Sequence, residues 1–312
     1  QLGFDAAQKA DLARAADIYK FDLMTGMVGE FDELQGVMGE HYAQLFGENA
    51  AVATAVREHY MPTSATGEVA QSDIGAVLAI ADKLDTLVTF FAADLVPSGS
   101  NDPYGLRRAA TGIVRTLQAK QWRLALAPLL ESFIAKTGDV SSHADTAALR
   151  AFILDRVRKL ALDAGTRQDL VAAGTANVVN LDVVYVAQRI QTLAQHAQDD
   201  NFRDVIAALT RVSRLAVKYD PDVAVDPALF ENEAEVALYE ATQSLDLHTL
   251  VMAGSEAVYA ALANLQAPIA AYFDATMVNV DDEAVKNNRY AQLHVINRLI
   301  SGLGDLEKIV IK

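Results

Sequence analysis

The sequence predicts an all-α protein, and three observations support this class. Its 312 residues are 52% hydrophobic and rich in Ala, Leu and Gln, which have high helix propensity. Aspartate precedes proline at 102–103, 220–221 and 226–227, and each pair joins a capping carboxylate to a residue suited to a first helical turn. Apolar residues also recur at helical spacing in two segments. Their positions are Leu149, Phe152, Ile153, Val157 and Leu160, and then Val251, Val258, Leu262 and Leu265.

The three Asp-Pro pairs predict helix starts near 102, 220 and 226. The two periodic segments predict helical structure at 149–160 and at 251–265. A last helix is predicted to start at the acidic run 281–283, because carboxylates are stabilised at the positive end of the helix dipole. The run from Ala176 to Val186 is rich in β-branched residues and is compatible with either a strand or a buried helix.

A polar, turn-rich segment at 136–146 separates two helical blocks. We therefore predict one domain at 1–138 and a second at 139–312. A chain of this length is able to bury two cores of ordinary size.

Composition narrows the classes of function. The absence of cysteine excludes disulfides, thiolate nucleophiles and cysteine-ligated zinc. No run of about 18 apolar residues occurs, and the start at Gln1 lacks a basic and apolar signal. We therefore predict a cytoplasmic protein without a membrane partner, and a start other than Met fits a fragment of a longer chain. The local motifs of P-loops, dinucleotide-binding folds, serine hydrolases and zinc proteases are absent as well.

The net charge of −15 disfavours nucleic acid binding unless positive charge is concentrated locally. Such a concentration exists, since the segment from Pro103 to Leu130 contains no acid. Its five cations are Arg107, Arg108, Arg115, Lys120 and Arg123. On a helix, Arg108 and Arg115 share a face opposite the apolar residues, which predicts a basic amphipathic helix. The two readings are a phosphate-binding face and an ordinary solvated face over a core, and Trp122 beside this stretch is a candidate for stacking on RNA.

The second half of the chain holds two further basic groups. Arg211, Arg214 and Lys218 follow at i, i+3 and i+7, a single stripe on a helix. Lys286, Arg289 and Arg298 occur between Glu283 and Asp305 without an intervening acid. Both groups are candidates for contacts with a phosphate backbone, and the alternative is an exposed face paired with acids elsewhere. Nearby aromatic residues are candidates for base stacking, although aromatics at helical spacing more often belong to a core. They are Tyr272, Phe273 and Tyr290.

Three blocks near the start carry a resemblance to a known family. They read KFDLMTGMVGEFDELQGVMG at 20–39, AIADKLDT at 79–86 and SGSNDPYGLRRA at 98–109. In this order and spelling they resemble the β subunit of bacterial two-subunit glycyl-tRNA synthetase. The resemblance implies that residues 1–138 form an HD-like helical domain.

Working HD phosphohydrolases bind metal with histidines, a His-Asp pair and a later aspartate. None of the six histidines here is followed by Asp; they are His41, His59, His143, His196, His248 and His294. Only Asp82 and Asp85 resemble the last acidic ligand of that pattern. The resemblance therefore implies a degenerate domain without its metal set, in which these two aspartates cap helices or form ion pairs.

Residues 139–312 resemble the C-terminal helical domain of the same family, which is of the anticodon-binding DALR type. The resemblance depends on 204–214 and 277–293. The family favours Lys-Arg-Val-x-Asn in the first segment, whereas this chain has Thr210 and Arg214 at the outer positions. Only Arg211 carries over.

The resemblance implies a tRNA-binding, non-catalytic part of an aminoacyl-tRNA synthetase subunit. It would position tRNA(Gly) for ATP-dependent glycylation by a separate α subunit within an α2β2 assembly. No cofactor is expected in this chain, because ATP and Mg²⁺ would be used by the α subunit. Two alternatives remain at this point: a subunit-assembly module without RNA contact, and an HD-type metal-dependent phosphohydrolase.

Overall fold

The computed structural model describes residues 2–99, 101–137, 144–218 and 222–311. Within these ranges the protein is helical and contains no β-strand, so the predicted all-α class is confirmed. The helices are α1 (Ala6–Ile18), α2 (Gly26–Glu30), α3 (Val37–Leu45), α4 (Ala50–Glu58), α5 (Asp73–Ala92), α6 (Leu106–Lys120), α7 (Leu126–Thr137), α8 (Thr146–Asp163), α9 (Gln168–Gly174), α10 (Val183–His196), α11 (Phe202–Ala216), α12 (Glu233–Gln243), α13 (Leu247–Ala253), α14 (Ser255–Asn264), α15 (Gln266–Ala275) and α16 (Glu283–Ser301).

Two of the three aspartate-proline pairs cap helical turns. The Asp102 carboxylate accepts hydrogen bonds from the backbone N–H groups of Leu106 and Arg107 at 2.8 and 2.9 Å, so that α6 begins a turn later than the proline. Asp226 caps a short 3₁₀ turn, Pro227–Leu229, with the proline in its first turn. The pair at 220–221 lies outside the described residues.

The β-branched run at 176–186 contains neither a strand nor one continuous helix. Asn177 and Leu181 adopt left-handed backbone conformations with φ of 55° and 53°, and α10 starts only at Val183. Left-handed residues interrupt both regular patterns. The buried-helix reading therefore holds only for the last residues of the run.

The chain forms two compact units, and each is described by itself. The first consists of Gln1–Val157 with Asn180–Val184, and the second of Arg158–Val179 with Tyr185–Lys312. The predicted domain boundary at 138/139 falls on residues that the structure does not describe, and it stays a prediction. Among the described helices, none combines the length and the hydrophobicity that a transmembrane helix needs.

In the first unit, α5 is the central helix and packs against α4 and α6. Leu87 of α5 and Leu106, Ile113 and Leu117 of α6 are fully buried there. In the second unit, α11 and α16 pack against each other, and the core around them is completed by α14 and α15. These packed helices fix the backbone that presents the charged side chains considered below.

The His196 side chain connects α10 to α14 in the second unit. His196, at the end of α10, faces Asp199 through Nδ1 at 2.6 Å and Glu256 of α14 through Nε2 at 2.7 Å. Its ring stacks on Tyr259 with centroids 3.8 Å apart. Partial burial lowers the His196 pKa, but the two carboxylate hydrogen bonds outweigh it, so the pKa is raised overall. The charged imidazolium donates to both acids.

The raised His196 pKa predicts a pH-dependent stability. The stabilisation from the two hydrogen bonds of His196 is fully present below the ordinary histidine pKa of about 6.5. It is lost as the pH rises through the higher pKa that His196 has in the folded protein. We expect His196→Phe, which keeps the stacking on Tyr259, to lower the free energy of unfolding by about 1 kcal/mol at pH 6 and by less at pH 9. Urea denaturation at both pH values tests this. The control is His248→Phe, at an exposed histidine, and an equal loss at both pH values for His196→Phe would contradict the prediction.

Candidate nucleic-acid interface

Helix α6 has the two faces that its sequence predicts. Leu106, Ile113 and Leu117 are buried, whereas Arg108 is exposed and Arg115 is partly exposed. The seven-residue spacing of the two arginines keeps them on one side of the helix. The prediction of a basic amphipathic helix is therefore confirmed in geometry, although the geometry does not test a role in RNA binding.

Two arginines of this stretch bind backbone carbonyls. Arg107 donates to the Gly99 carbonyl at 2.7 Å, and Arg115 donates to the Ala65 carbonyl at 2.8 Å. These bonds order the two arginines against neighbouring loops. Because carbonyl oxygens carry no net charge, both guanidinium groups keep their positive charge available to a phosphate.

The remaining cations of the stretch divide into paired and free groups. Lys120 forms an ion pair with Asp73 at 2.7 Å, and Arg123 forms one with Asp182 at 2.9 Å. Among the described residues, Arg108 has no ion pair. The Lys120 ammonium also lies 5.6 Å from the Trp122 ring, which is half-buried. The positive potential of this surface therefore depends on the three arginines more than on Lys120 and Arg123.

Helix α11 presents the second basic group on its solvent side. Phe202, Val205, Ile206, Leu209 and Val212 pack inward, and Arg211, Arg214 and Lys218 are exposed. Lys218 lies two residues past the end of the helix. The sequence reasoning missed Arg203, which is also exposed and lies eight residues before Arg211. We call Arg203, Arg211, Arg214 and Lys218 the α11 stripe.

The members of the α11 stripe differ in their partners. The Arg211 guanidinium lies over the Phe273 ring, 4.1 Å from its centroid, which holds the side chain without neutralising it. Arg214 faces Glu307 at 3.2 Å, an exposed ion pair of small energy. Among the described residues, Arg203 and Lys218 form no ion pair. The stripe therefore keeps most of its charge for a ligand.

The three cations of α16 do not form one surface. Lys286 forms an ion pair with Glu283 at 2.8 Å, and Arg289 is buried in a network with two glutamates. Arg298 is exposed and lines a groove of about 990 Å³ together with Tyr239 and His294. A role for Arg289 in RNA binding stays a prediction that its burial does not favour.

The aromatic candidates in the second unit lie mostly in its core. Tyr272 and Tyr290 are buried, as the core alternative predicts. Phe273 is partly buried, and its ring stacks against the Arg211 guanidinium.

Asp82 and Asp85, the two aspartates that the sequence compares with an HD metal ligand, lie in different surroundings. The Asp82 carboxylate is paired with the Lys20 ammonium at 2.5 Å, and Asp85 is exposed. His59 is buried, its Nδ1–H donates to the Val56 carbonyl at 2.6 Å, and burial lowers its pKa to about 4. No group of three or more His, Asp or Glu side chains in the described ranges is placed to hold a metal. This donor set gives no basis for an HD-type reaction step.

Comparisons with known proteins assign this helical chain to a family of aminoacyl-tRNA synthetase subunits. Residues 2–176 match the family model described as glycyl-tRNA synthetase beta subunit, and the chain belongs to that family. The resemblance seen in the three sequence blocks is thus confirmed.

Curated relatives agree over the full chain. The glycine-tRNA ligase beta subunits of Leuconostoc citreum, Levilactobacillus brevis and Oenococcus oeni are 68%, 52% and 47% identical over 311, 320 and 321 residues. These alignments include 100% of this chain but only 45%, 46% and 46% of the relatives. The chain therefore spans about half the length of the relatives it matches.

Proposed function

We propose that this chain is the tRNA-binding, non-catalytic part of a glycine-tRNA ligase β subunit and that it positions tRNA(Gly) for glycylation by the α subunit. In this proposal the α subunit uses ATP and Mg²⁺, and the two kinds of subunit form an α2β2 assembly. Support comes from the relatives, which are named as beta subunits of glycine-tRNA ligases. The observation that carries the proposal is the exposed α11 stripe.

The stripe suits a phosphate backbone in spacing and charge. Arg203 and Arg211 are eight residues apart within α11, which corresponds to roughly 12 Å at the rise of about 1.5 Å per residue of an α-helix. Contacts of this kind fix the register and orientation of a nucleic acid without reading its bases. The net charge of −15 repels RNA at long range, but screening over about 8 Å at physiological salt lets a local cationic stripe dominate at contact.

Positioning alone contributes to the reaction. A tRNA held at a fixed place on the β subunit presents its 3′ end to an active site on another subunit, and the encounter no longer costs translational freedom. HD-like and anticodon-binding-type domains at 1–138 and 139–312 would divide the RNA between them. The α6 arginines belong to the first region and the α11 stripe to the second.

The proposal is tested by filter binding of this chain to tRNA(Gly) and to an unrelated tRNA at low and near-physiological salt. The test variant carries Arg211→Glu, Arg214→Glu and Lys218→Glu. We expect weaker binding of tRNA(Gly) and a log-log salt dependence that flattens by about 2 to 3, since each lost phosphate contact contributes about 0.7 to 0.9.

A matched control keeps the change in net charge but moves it elsewhere. Lys9→Glu, Arg14→Glu and Lys159→Glu reverse three exposed cations outside the stripe. If this control weakens tRNA binding as much as the stripe variant, the effect is long-range repulsion and the stripe is not an interface. Equal or absent binding of both tRNAs by the unmodified chain would contradict the proposal itself.

One observation favours the second candidate, a subunit-assembly module. Several large apolar side chains at the start of the chain are exposed, among them Met24 at 89%, Leu45 at 76% and Phe46 at 74%. Exposed apolar side chains that adjoin one another, as Leu45 and Phe46 do along the chain, favour a surface that meets another protein. This candidate gains support if the unmodified chain binds neither tRNA but copurifies with the α subunit.

A further inference from the structure

The three sequence blocks of the first unit line one pocket. It has a volume of about 510 Å³, within the range of small-ligand sites. The 20–39 block contributes Asp32 and Glu33, the 79–86 block contributes Lys83, and the 98–109 block contributes Tyr104 and Arg108. Segments far apart in the sequence thus supply the polar groups of a single cavity.

Lys83 is the unusual member of the pocket. It is 8% exposed, and within the described ranges its ammonium makes one hydrogen bond, to the His59 carbonyl at 3.1 Å, and no ion pair. The carboxylate of the neighbouring Asp82 already forms an ion pair with the Lys20 ammonium. An ammonium has three N–H donors, and a buried charge is costly unless it is paired. Two donors of Lys83 therefore remain for a ligand.

Arg108 adds a second cation at the rim of the pocket. Its side chain is exposed and free of ion pairs among the described residues, so its fork of N–H donors is open to solvent. Burial lowers the Lys83 pKa to about 8 against the opposing charge of Asp82, and the charges of Lys20 and, to a smaller extent, Arg108 add to the lowering, so Lys83 and Arg108 act on each other electrostatically. An anion between them would relieve that repulsion and the desolvation of Lys83.

The other lining groups indicate more than a bare anion. Asp32 and Glu33 are exposed, and carboxylates can accept hydrogen bonds from sugar hydroxyls. The Tyr104 ring is half exposed and rests against Phe90 with centroids 4.6 Å apart, which leaves an aromatic surface for a base. Cations, hydroxyl acceptors and an aromatic ring together match the parts of one nucleotide.

We infer that this pocket binds a single nucleotide, with its phosphate held by Lys83 and Arg108. The nucleotide is either a free nucleoside phosphate or one unit of an RNA strand. The inference does not depend on the α11 stripe, because the pocket and the stripe belong to different units.

Calorimetric titration with adenosine 5′-monophosphate, adenosine and inorganic phosphate tests the inference on the full chain. We expect the monophosphate to bind about tenfold or more tightly than adenosine, because the charged hydrogen bonds go to the phosphate. Lys83→Met should reduce monophosphate affinity by at least about tenfold, and Arg108→Gln should reduce it by less. Equal affinity for the monophosphate and adenosine would overturn the inference.

Controls separate binding from folding. Lys9→Met removes the same charge from an exposed site outside this pocket and should leave monophosphate affinity unchanged. Lys83→Met replaces a buried charged side chain by an apolar one of similar length, so the free energy of unfolding should not fall. If that variant is folded and still binds the monophosphate normally, the pocket is not the site.

A competition arm identifies the source of the nucleotide. Displacement of the monophosphate by a short single-stranded RNA assigns the pocket to RNA, and no displacement assigns it to free nucleotide. The stripe variant should retain monophosphate binding in either case. If the chain does not bind tRNA but does bind the monophosphate, the proposed function is refuted and the inference about this pocket is retained.

Discussion

Arg289→Met is expected to lower the free energy of unfolding by about 3 to 5 kcal/mol. Arg289 is 3% exposed, and its Nε donates to Glu235 Oε1 at 2.6 Å. Its other nitrogens donate to Glu231 at 2.6 Å and to the Met277 carbonyl at 2.9 Å. Since Glu235 is 0% exposed, removing the guanidinium leaves a carboxylate in the interior without a counter-charge. Urea denaturation of the two proteins measures the difference.

A graded set of variants tests this cause. Glu231→Gln removes the partner whose side chain is 60% exposed and should cost about 1 kcal/mol or less. Arg289→Met combined with Glu235→Gln removes both buried charges but keeps an oxygen that can accept from the N–H of Asn232, as Glu235 does at 3.2 Å. We expect this double variant to recover much of the loss. A single Arg289→Met variant no less stable than Glu231→Gln would show that the buried pair carries little energy.

Arg289 also shows where sequence reasoning reaches its limit. Its acidic partners lie 54 and 58 residues away, so the acid-free spacing around it suggested an exposed cation. Lys20 and Asp82 are likewise 62 residues apart. Local spacing gives the direction of a side chain on its helix, but it does not show which distant element covers that face.

Helix faces were predictable where packing follows local periodicity. The inward residues of α6 and the exposed arginines of α11 lie where a 3.6-residue period puts them. The run at 176–186 was undecidable because short β-branched segments fit a strand and a buried helix equally well. Of its two left-handed residues, Asn177 is of a type that is enriched in that conformation, whereas Leu181 is not, so the sequence did not mark the second interruption.

The same limit applies to the candidate sites. Charge and exposure in the α11 stripe were foreseeable from a single segment, apart from Arg203. The nucleotide pocket was not, because its lining comes from the three blocks and from Tyr60, Pro62 and Thr63, which meet only in the folded unit. Lys83 gave no signal in the sequence, since nothing there shows that its ammonium is buried.

Gly304→Ala is expected to destabilise the second unit by about 3 to 5 kcal/mol, from backbone strain and a steric collision together. Gly304 has φ of 111°, and a Cβ there would lie 2.1 Å from the Ala173 carbonyl oxygen. That oxygen accepts a hydrogen bond from the Asp305 N–H at 3.0 Å. Relief therefore requires movement of backbone at the end of α9, not the rotation of a side chain.

Gly165→Ala separates the two contributions in the same unit. Gly165 has φ of 84°, but a Cβ added there would meet no atom within 4 Å, so its substitution should cost only the left-handed strain of about 1 to 2 kcal/mol. Denaturation of both variants gives the collision energy as the difference. Equal losses in the free energy of unfolding would mean that the backbone at the end of α9 moves away from the new Cβ at little cost. A larger loss at Gly304 would show that close packing against the Ala173 carbonyl, in addition to the left-handed backbone, requires glycine at this position.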